Sequence, residues 1–185
     1  MNLEKVDLST FRNDWYKPGN IIKRTAWFII GRIFINTYLP FPQPIKRFIL
    51  RVFGACLGKR VVIKPKVNIK YPWKLSVGDN SWIGELVWID NLGQVSIGSN
   101  VALSQGCFLL CGNHDYKKTA FDLIIGDIKI EDGSWIGAQS VVCPGVTCGS
   151  HSVLSVGSVA TKNLEPYCIY QGVPAVKVRK REIKE

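Results

Sequence analysis

Histidine is scarce in this 185-residue chain, which holds only His114 and His151. Two are too few for a zinc ion held by three histidines of one chain. The six cysteines include no CxxC pair, which speaks against a zinc ribbon or a thioredoxin-type redox centre. No long hydrophobic run occurs either. The apolar stretch Ala26-Trp27-Phe28-Ile29-Ile30 is interrupted by Arg32 and ended by Pro40, short of the ~20 residues that cross a bilayer. The polar stretch from Met1 to Asn20 has no apolar core followed by a small-residue cleavage site, so no cleavable signal peptide is expected. Acidic residues are few, 14 against 24 Lys and Arg, for a net charge of +10.

What the chain has instead is a beat of six. Apolar residues recur at Ile130, Ile136, Val142, Cys148, Leu154 and Ala160, with Gly137, Gly149 or Ser155 one place later and Ser134, Ser140, Ser152 and Ser158 four places later. The period suits neither a helix nor a simple hairpin series. It suits short parallel strands joined by tight corners, coil upon coil. One side chain per beat points inward, a small residue fills each corner beside the next coil, and glycine is expected to permit the bend. The same beat runs through Val77-Gly78, Ile83-Gly84 and Ile89-Asp90, then after a two-residue slip through Ile97-Gly98 and Leu103-Ser104. A parallel β-helix over most of residues 61–176 is the expected fold. Periodicity leaves its hand open, and the usual rule for parallel crossovers favours a right-handed coil.

Three segments follow: residues 1–56, basic, aromatic and helical; 57–176, the β-helix; and 177–185, a basic tail. Cys107, Cys143 and Cys148 fall on repeat positions that take small apolar side chains, so the thiols are read as reduced core residues of a cytoplasmic protein. Basic residues cluster at the ends, in Lys23-Arg24, Lys46-Arg47, Lys59-Arg60 and Lys177 to Arg181. Such charge suits a nucleotide cofactor, an anionic membrane face or nucleic acid. No nucleic-acid-binding motif accompanies it, so nucleic acid is not expected as a partner. The N-terminal segment has two readings, a basic and aromatic surface lying on lipid or a pair of helices packed on the end of the β-helix.

Between Leu109 and Ile130 the beat is lost, and the intervening residues read as a loop thrown out of one coil. Long loops in strict arrays tend to carry function. This one contains His114 beside Asp115. Histidine, with an ordinary pKa near 6.5, can take a proton from a hydroxyl in neutral water; the bland alternative is a histidine that pins the turn. His151 falls on an outward corner and reads as a solvated surface residue.

The motifs Gly112-Asn113-His114-Asp115-Tyr116, Trp135-Ile136-Gly137, Pro144-Gly145-Val146-Thr147, Gly157 to Lys162 and Gly172-Val173-Pro174-Ala175 resemble those of the hexapeptide-repeat acyltransferases, over about residues 55–180. Tyr71-Pro72-Trp73, Asn91-Leu92-Gly93 and Leu103-Ser104-Gln105-Gly106 are similar to the colanic-acid O-acetyltransferase branch, which decorates exopolysaccharide sugars. The resemblance implies a left-handed β-helix, a homotrimer, and acetyl-CoA lying along a groove between subunits, without a metal. It implies direct transfer to a sugar acceptor, with His114 as general base; whether that sugar is nucleotide-linked, lipid-linked or polymeric is left open by the sequence. By the same resemblance Ala138 and Val156 bind the pantetheine arm through backbone groups, Thr161, Lys162 and Arg179 lie near the nucleotide end, and Trp135 walls the slot. Departures bear on the acceptor. Where the galactoside branch has Asn and Asp against the sugar, this chain has Gly84 and Leu92, and Val176 replaces a basic residue, leaving Lys177 or Arg179 to serve. A non-catalytic scaffold and transfer to an amine or another small acceptor remain the rival readings, and peripheral contact with the inner membrane face would suit a lipid-carried sugar.

Overall fold

A computed structural model describes residues 5–184; the first four residues of the N-terminal segment and Glu185 of the tail lie outside the described residues. The chain enters through α1 (Ile21–Phe34), started by Asn20, whose side chain accepts a hydrogen bond from the Ile22 N–H as an N-cap. A proline-rich turn leads to α2 (Gln43–Val52). Short strands then wind in triples: β1 (Cys56–Leu57), β2 (Val62–Ile63), β3 (Asn68–Ile69); β4 (Leu75–Val77), β5 (Trp82–Ile83), β6 (Trp88–Asp90); β7 (Val95–Ile97), β8 (Ala102–Leu103), β9 (Phe108–Leu110). A hairpin, β10 (Gly112–His114) and β11 (Leu123–Ile125), interrupts the winding. It resumes with β12 (Ile128–Ile130), β13 (Trp135–Ile136), β14 (Val141–Val142), then β15 (Thr147–Cys148), β16 (Val153–Leu154), β17 (Val159–Ala160), and closes with β18 (Cys168–Gln171) and β19 (Val176–Lys180).

Each coil's strands stack in parallel on those of the coil below, which makes a three-faced prism, and within its faces only β19 folds back antiparallel, on β18. The first face is β1-β4-β7-β12-β15, the second β2-β5-β8-β13-β16-β18-β19, and the third β3-β6-β9-β14-β17. The beat becomes a set of columns: Ile63, Ile83, Leu103, Ile136, Leu154 and Tyr170 lie in register up the second face. These columns fill the prism with fully buried aliphatic side chains. The serines four places after the beat are buried, and two of them bond the coil above, Ser134 Oγ donating to Gly149 O at 2.9 Å and Ser140 Oγ to Ser155 O at 2.7 Å, while Ser152 Oγ donates back to Ser134 Oγ and Ser158 Oγ to Val156 O of its own coil. Earlier coils place Val61, Val67, Val87, Val101 and Cys107 at the same position. Gly149 O keeps the Ser152 N–H as a donor at 3.0 Å, so Ser134→Ala removes one buried hydrogen bond and is expected to cost about 1 kcal/mol, read as a drop in the unfolding midpoint of the whole protein.

The glycines work differently from the sequence expectation. Gly78, Gly84, Gly98, Gly137 and Gly149 do not supply the bend; they allow coils to touch. A Cβ on Gly78 would stand 2.6 Å from the backbone of Gly98 and Ser99. The bend itself falls two residues later, at left-handed positions such as Asn80 (φ 59°) and Asn100 (φ 57°), which asparagine tolerates better than most residues. His151 takes the same corner (φ 58°) and is not simply solvated. Its ring stacks on Tyr167 with centroids 4.7 Å apart, and its Nδ1 meets Ser150 Oγ at 2.7 Å.

The N-terminal helices pack as well as expose. Arg47 and Gln43 of α2 bond the carbonyls of Val61 and Ile63, closing the open end of the prism. Along the third face lies α1, tied by the Trp27 indole N–H to Ile69 O at 2.8 Å. Ile22, Phe28, Ile29 and Phe48 nevertheless remain exposed. Among the described residues no helix is long and apolar enough to cross a membrane.

Candidate active site

The residues between Leu109 and Ile130 are not an irregular loop. Strands β10 and β11 pair antiparallel, with His114 opposite Leu123, at the corner where the third face turns into the first. His114 is held from two sides. Its Nδ1 lies 2.9 Å from the Phe121 carbonyl oxygen, and its ring stacks on Phe121 with centroids 4.5 Å apart at an angle of 10°. A carbonyl oxygen only accepts, so Nδ1 carries a proton, and in the neutral imidazole the lone pair lies on Nε2. Phe11 touches the imidazole from the N-terminal segment at 5.8 Å. That segment runs along the same corner as a strap: the Asp7 N–H donates to Thr119 O, the Tyr16 hydroxyl to Leu92 O, and the Trp73 indole N–H to Pro18 O. Asp115 does not orient the imidazole; its carboxylate accepts from the Lys117 N–H. Phe11 and Phe121, which fix the histidine, carry no motif of their own in the sequence. The only hint was apolar residues flanking the polar run.

The other anticipated residues gather elsewhere. Trp135, half-exposed, stands on the outer side of the second face, its indole N–H donating to Ser104 Oγ at 2.9 Å. Register places Trp135, Val153, Ile169 and Arg179 in one row across that face. Ala138 and Val156 follow at the corner between second and third faces, one coil apart, with the Ala138 carbonyl already accepting from Gly157 N–H. Their own N–H groups find no acceptor among the described residues. Two free N–H groups on one exposed ridge fit the amide-rich arm of a coenzyme A thioester. Thr161 and Lys162 lie beyond β17, at the corner that also carries His114 but higher up the coil. Among the described residues Lys162 and Arg179 have no carboxylate partner, whereas Lys177 is paired with Glu165 at 2.6 Å, leaving Arg179 as the available cation near Val176. One chain therefore keeps His114 and the Trp135–Ala138–Val156 ridge on different corners of its prism.

The buried thiols offer no chemistry. Burial pushes Cys107 and Cys148 up to about 12 and Cys111 up to about 11, so they stay protonated and unreactive at neutral pH. Cys56, unlike the core residue expected from the sequence, is exposed. Titration of the native protein with a colorimetric disulfide reagent is expected to show one fast thiol per chain, abolished by Cys56→Ser, with half-buried Cys143 reacting more slowly and the buried thiols only on unfolding. Among the described residues no three His, Cys, Asp or Glu side chains come together to hold a metal ion.

This geometry has close relatives. The chain is 38% identical over 170 residues to WcaF of Escherichia coli K12, a protein assigned by name to acetyl transfer in colanic acid biosynthesis, covering 90% of this chain and 91% of that one. It superposes on a hexapeptide-repeat acetyltransferase of Vibrio cholerae, whose structure with acetyl coenzyme A is also solved, with a TM-score of 0.79 and 25% identity over 88% of this chain and 92% of that one. A maltose O-acetyltransferase of Clostridium difficile 630 matches with a TM-score of 0.80 and 26% identity over 88% of each chain. No family model matches the chain. The chain belongs to the hexapeptide-repeat acetyltransferases, and its coil is the left-handed parallel β-helix of that family.

Proposed function

We propose that this acetyltransferase moves an acetyl group from acetyl-CoA to a sugar hydroxyl during assembly of an exopolysaccharide or capsule. The single observation that carries the reading is the 2.9 Å approach of His114 Nδ1 to Phe121 O, which assigns the proton to Nδ1 and leaves Nε2 free to act as a base. The relationship to WcaF supports the pathway, and the Vibrio cholerae acetyltransferase bound to acetyl coenzyme A supports the donor. Nε2 accepts the acceptor's proton as that oxygen attacks the thioester carbonyl, backbone N–H groups stabilise the oxyanion, and the imidazolium then protonates the departing thiolate. Proton and acetyl group both balance, with no acyl-enzyme.

Ala138 and Val156 hold the pantetheine arm, Trp135 walls the slot, and Thr161, Lys162 and Arg179 meet the nucleotide end. Because His114 and this ridge occupy different corners of one prism, the working enzyme is a homotrimer in which His114 faces the ridge of a neighbouring subunit. The test is acetyl-CoA-dependent thiol release by the purified protein against free, nucleotide-linked and lipid-linked sugars. Turnover with one class supports the reading; an absence of turnover together with an absence of acetyl-CoA binding returns the chain to a scaffold.

The exposed apolar residues of α1 and α2, flanked by Arg24, Arg32 and Arg47, support a cytoplasmic enzyme resting on the inner membrane face. Flotation with vesicles containing anionic lipid at low salt is expected. Protein left at the bottom of the gradient defeats that part of the proposal.

A further inference from the structure

A cavity of about 580 Å³ lies between α1 and the third face, lined among others by Arg24, Phe28, Arg32, Tyr71, Trp88 and Asp90. Its walls are chemically distinct. On the α1 side, Arg24, Phe28 and Arg32 are spaced four apart and so share one helix face. The Arg32 guanidinium lies 4.3 Å from the Phe28 ring centre. Neither arginine has a carboxylate partner among the described residues. On the β-helix side, Trp88 is half-exposed and rests flat on Phe108, with ring centres 4.8 Å apart. Its free face is a rigid apolar plate of the kind on which a sugar ring stacks.

The far end holds a carboxylate that the fold does not fully satisfy. Asp90 is buried, and the Lys70 ammonium stands 2.8 Å from its Oδ1. That ammonium pairs with Oδ1, but no backbone N–H or hydroxyl reaches it, so the carboxylate keeps accepting capacity that a ligand hydroxyl would use. This end also adjoins the catalytic hairpin. Asp90 sits opposite Leu110 in register, its carbonyl accepts from the Cys111 N–H, and its Oδ2 lies 4.0 Å from where a Gly112 Cβ would stand. Gly112 and His114 share β10.

From this arrangement we infer that the α1 cavity is the acceptor subsite and that its occupant is a glycosyl phosphate ester: the sugar ring lies on Trp88 with a hydroxyl on Asp90, and the phosphate lies between Arg24 and Arg32. The inference rests on the proposed sugar acetylation and narrows its acceptor to a phosphorylated one. Two unpaired guanidiniums suit phosphate oxygens, which they bind bidentately; an uncharged sugar gives them nothing to do. The carrier beyond the phosphate is either a nucleotide or a lipid, and the exposed apolar residues of α1 flank the opening.

Binding, rather than turnover, tests this independently of His114. Calorimetry on the full chain would compare galactose, inorganic pyrophosphate, UDP-galactose and farnesyl diphosphate. The phosphate-bearing probes are expected to bind at least tenfold more tightly than galactose, and Arg24→Gln/Arg32→Gln to abolish that margin. Lys162→Ala and His114→Ala should keep it, which separates this site from the nucleotide end of the donor slot and from the base. Tighter binding of UDP-galactose than of farnesyl diphosphate supports the site with a nucleotide carrier; the reverse order supports it with a lipid carrier. Equal affinity for galactose and pyrophosphate, or a margin unchanged in the double variant, overturns the inference while leaving acetyl transfer by His114 standing. Loss of turnover in His114→Ala with the margin intact keeps both.

Discussion

His114→Asn is expected to lower kcat/KM for acetyl transfer by roughly 10²- to 10⁴-fold, or about 3–5 kcal/mol of transition-state stabilisation, with acetyl-CoA affinity unchanged. Asparagine is more informative than alanine here. Its side-chain amide can replace Nδ1–H as the donor to Phe121 O, so the hairpin stays pinned, but it offers no basic nitrogen at the Nε2 position. If His114 served only to pin the turn, Asn would retain most of the activity and Ala would not. If it is the base, both variants lose activity together, and Asn lowers the unfolding midpoint less than Ala because it keeps the hydrogen bond to Phe121 O, although both lose the ring contacts with Phe121 and Phe11. Donor affinity should be indifferent to either change, since the proposed contacts of Ala138 and Val156 with the donor are made by backbone N–H groups that neither substitution touches. Wild-type rates in His114→Asn would end the general-base proposal.

The fold was largely legible because each level of the chain repeats the same instruction. Six-residue spacing fixes which side chain points inward, and burial of Ile63, Ile83, Leu103, Ile136 and Leu154 in one column follows from that spacing alone. The two-residue slip after Ile89 also has a structural counterpart: β6 and β7 are three residues each where β5 and β8 are two, and a like slip from Ile69 to Val77 is taken up by a five-residue corner between β3 and β4. The expelled segment was legible as an interruption but not as a hairpin. Its strands are three residues each and alternate too briefly to register as a pattern. The partners of His114 were illegible for a different reason. Phe121 acts through a backbone carbonyl, and Phe11 arrives from more than a hundred residues upstream, so neither role leaves a mark in side-chain chemistry or local spacing. The α1 cavity is non-local in the same way, since Arg24, Trp88 and Asp90 meet only when the N-terminal helix lies along the third face.

The largest effect on stability is expected from a single methyl group. In Gly137→Ala the added Cβ would stand 2.6 Å from Val156 N, 2.7 Å from Leu154 O and 2.8 Å from Ser155 C, all backbone atoms that no rotamer change can move. The two coils must separate, which weakens the Gly137 N–H to Leu154 O hydrogen bond, now 2.7 Å. A cost of about 3 kcal/mol is expected, lowering the unfolding midpoint by roughly 6–12 °C for a chain of this size. Gly157→Ala is the matched control. Its φ is +65° and nothing lies within 4 Å of the new Cβ, so only the left-handed backbone penalty of about 1–2 kcal/mol applies. If close approach is why glycine follows the beat, the Gly137 variant must fall further than the Gly157 variant in thermal unfolding. The opposite order would mean that backbone freedom governs both positions, as the repeat alone first suggests. Because Ala138 and Val156 flank the strained contact, the same substitution is also expected to weaken acetyl-CoA binding, which links the packing of the coils to the shape of the donor ridge.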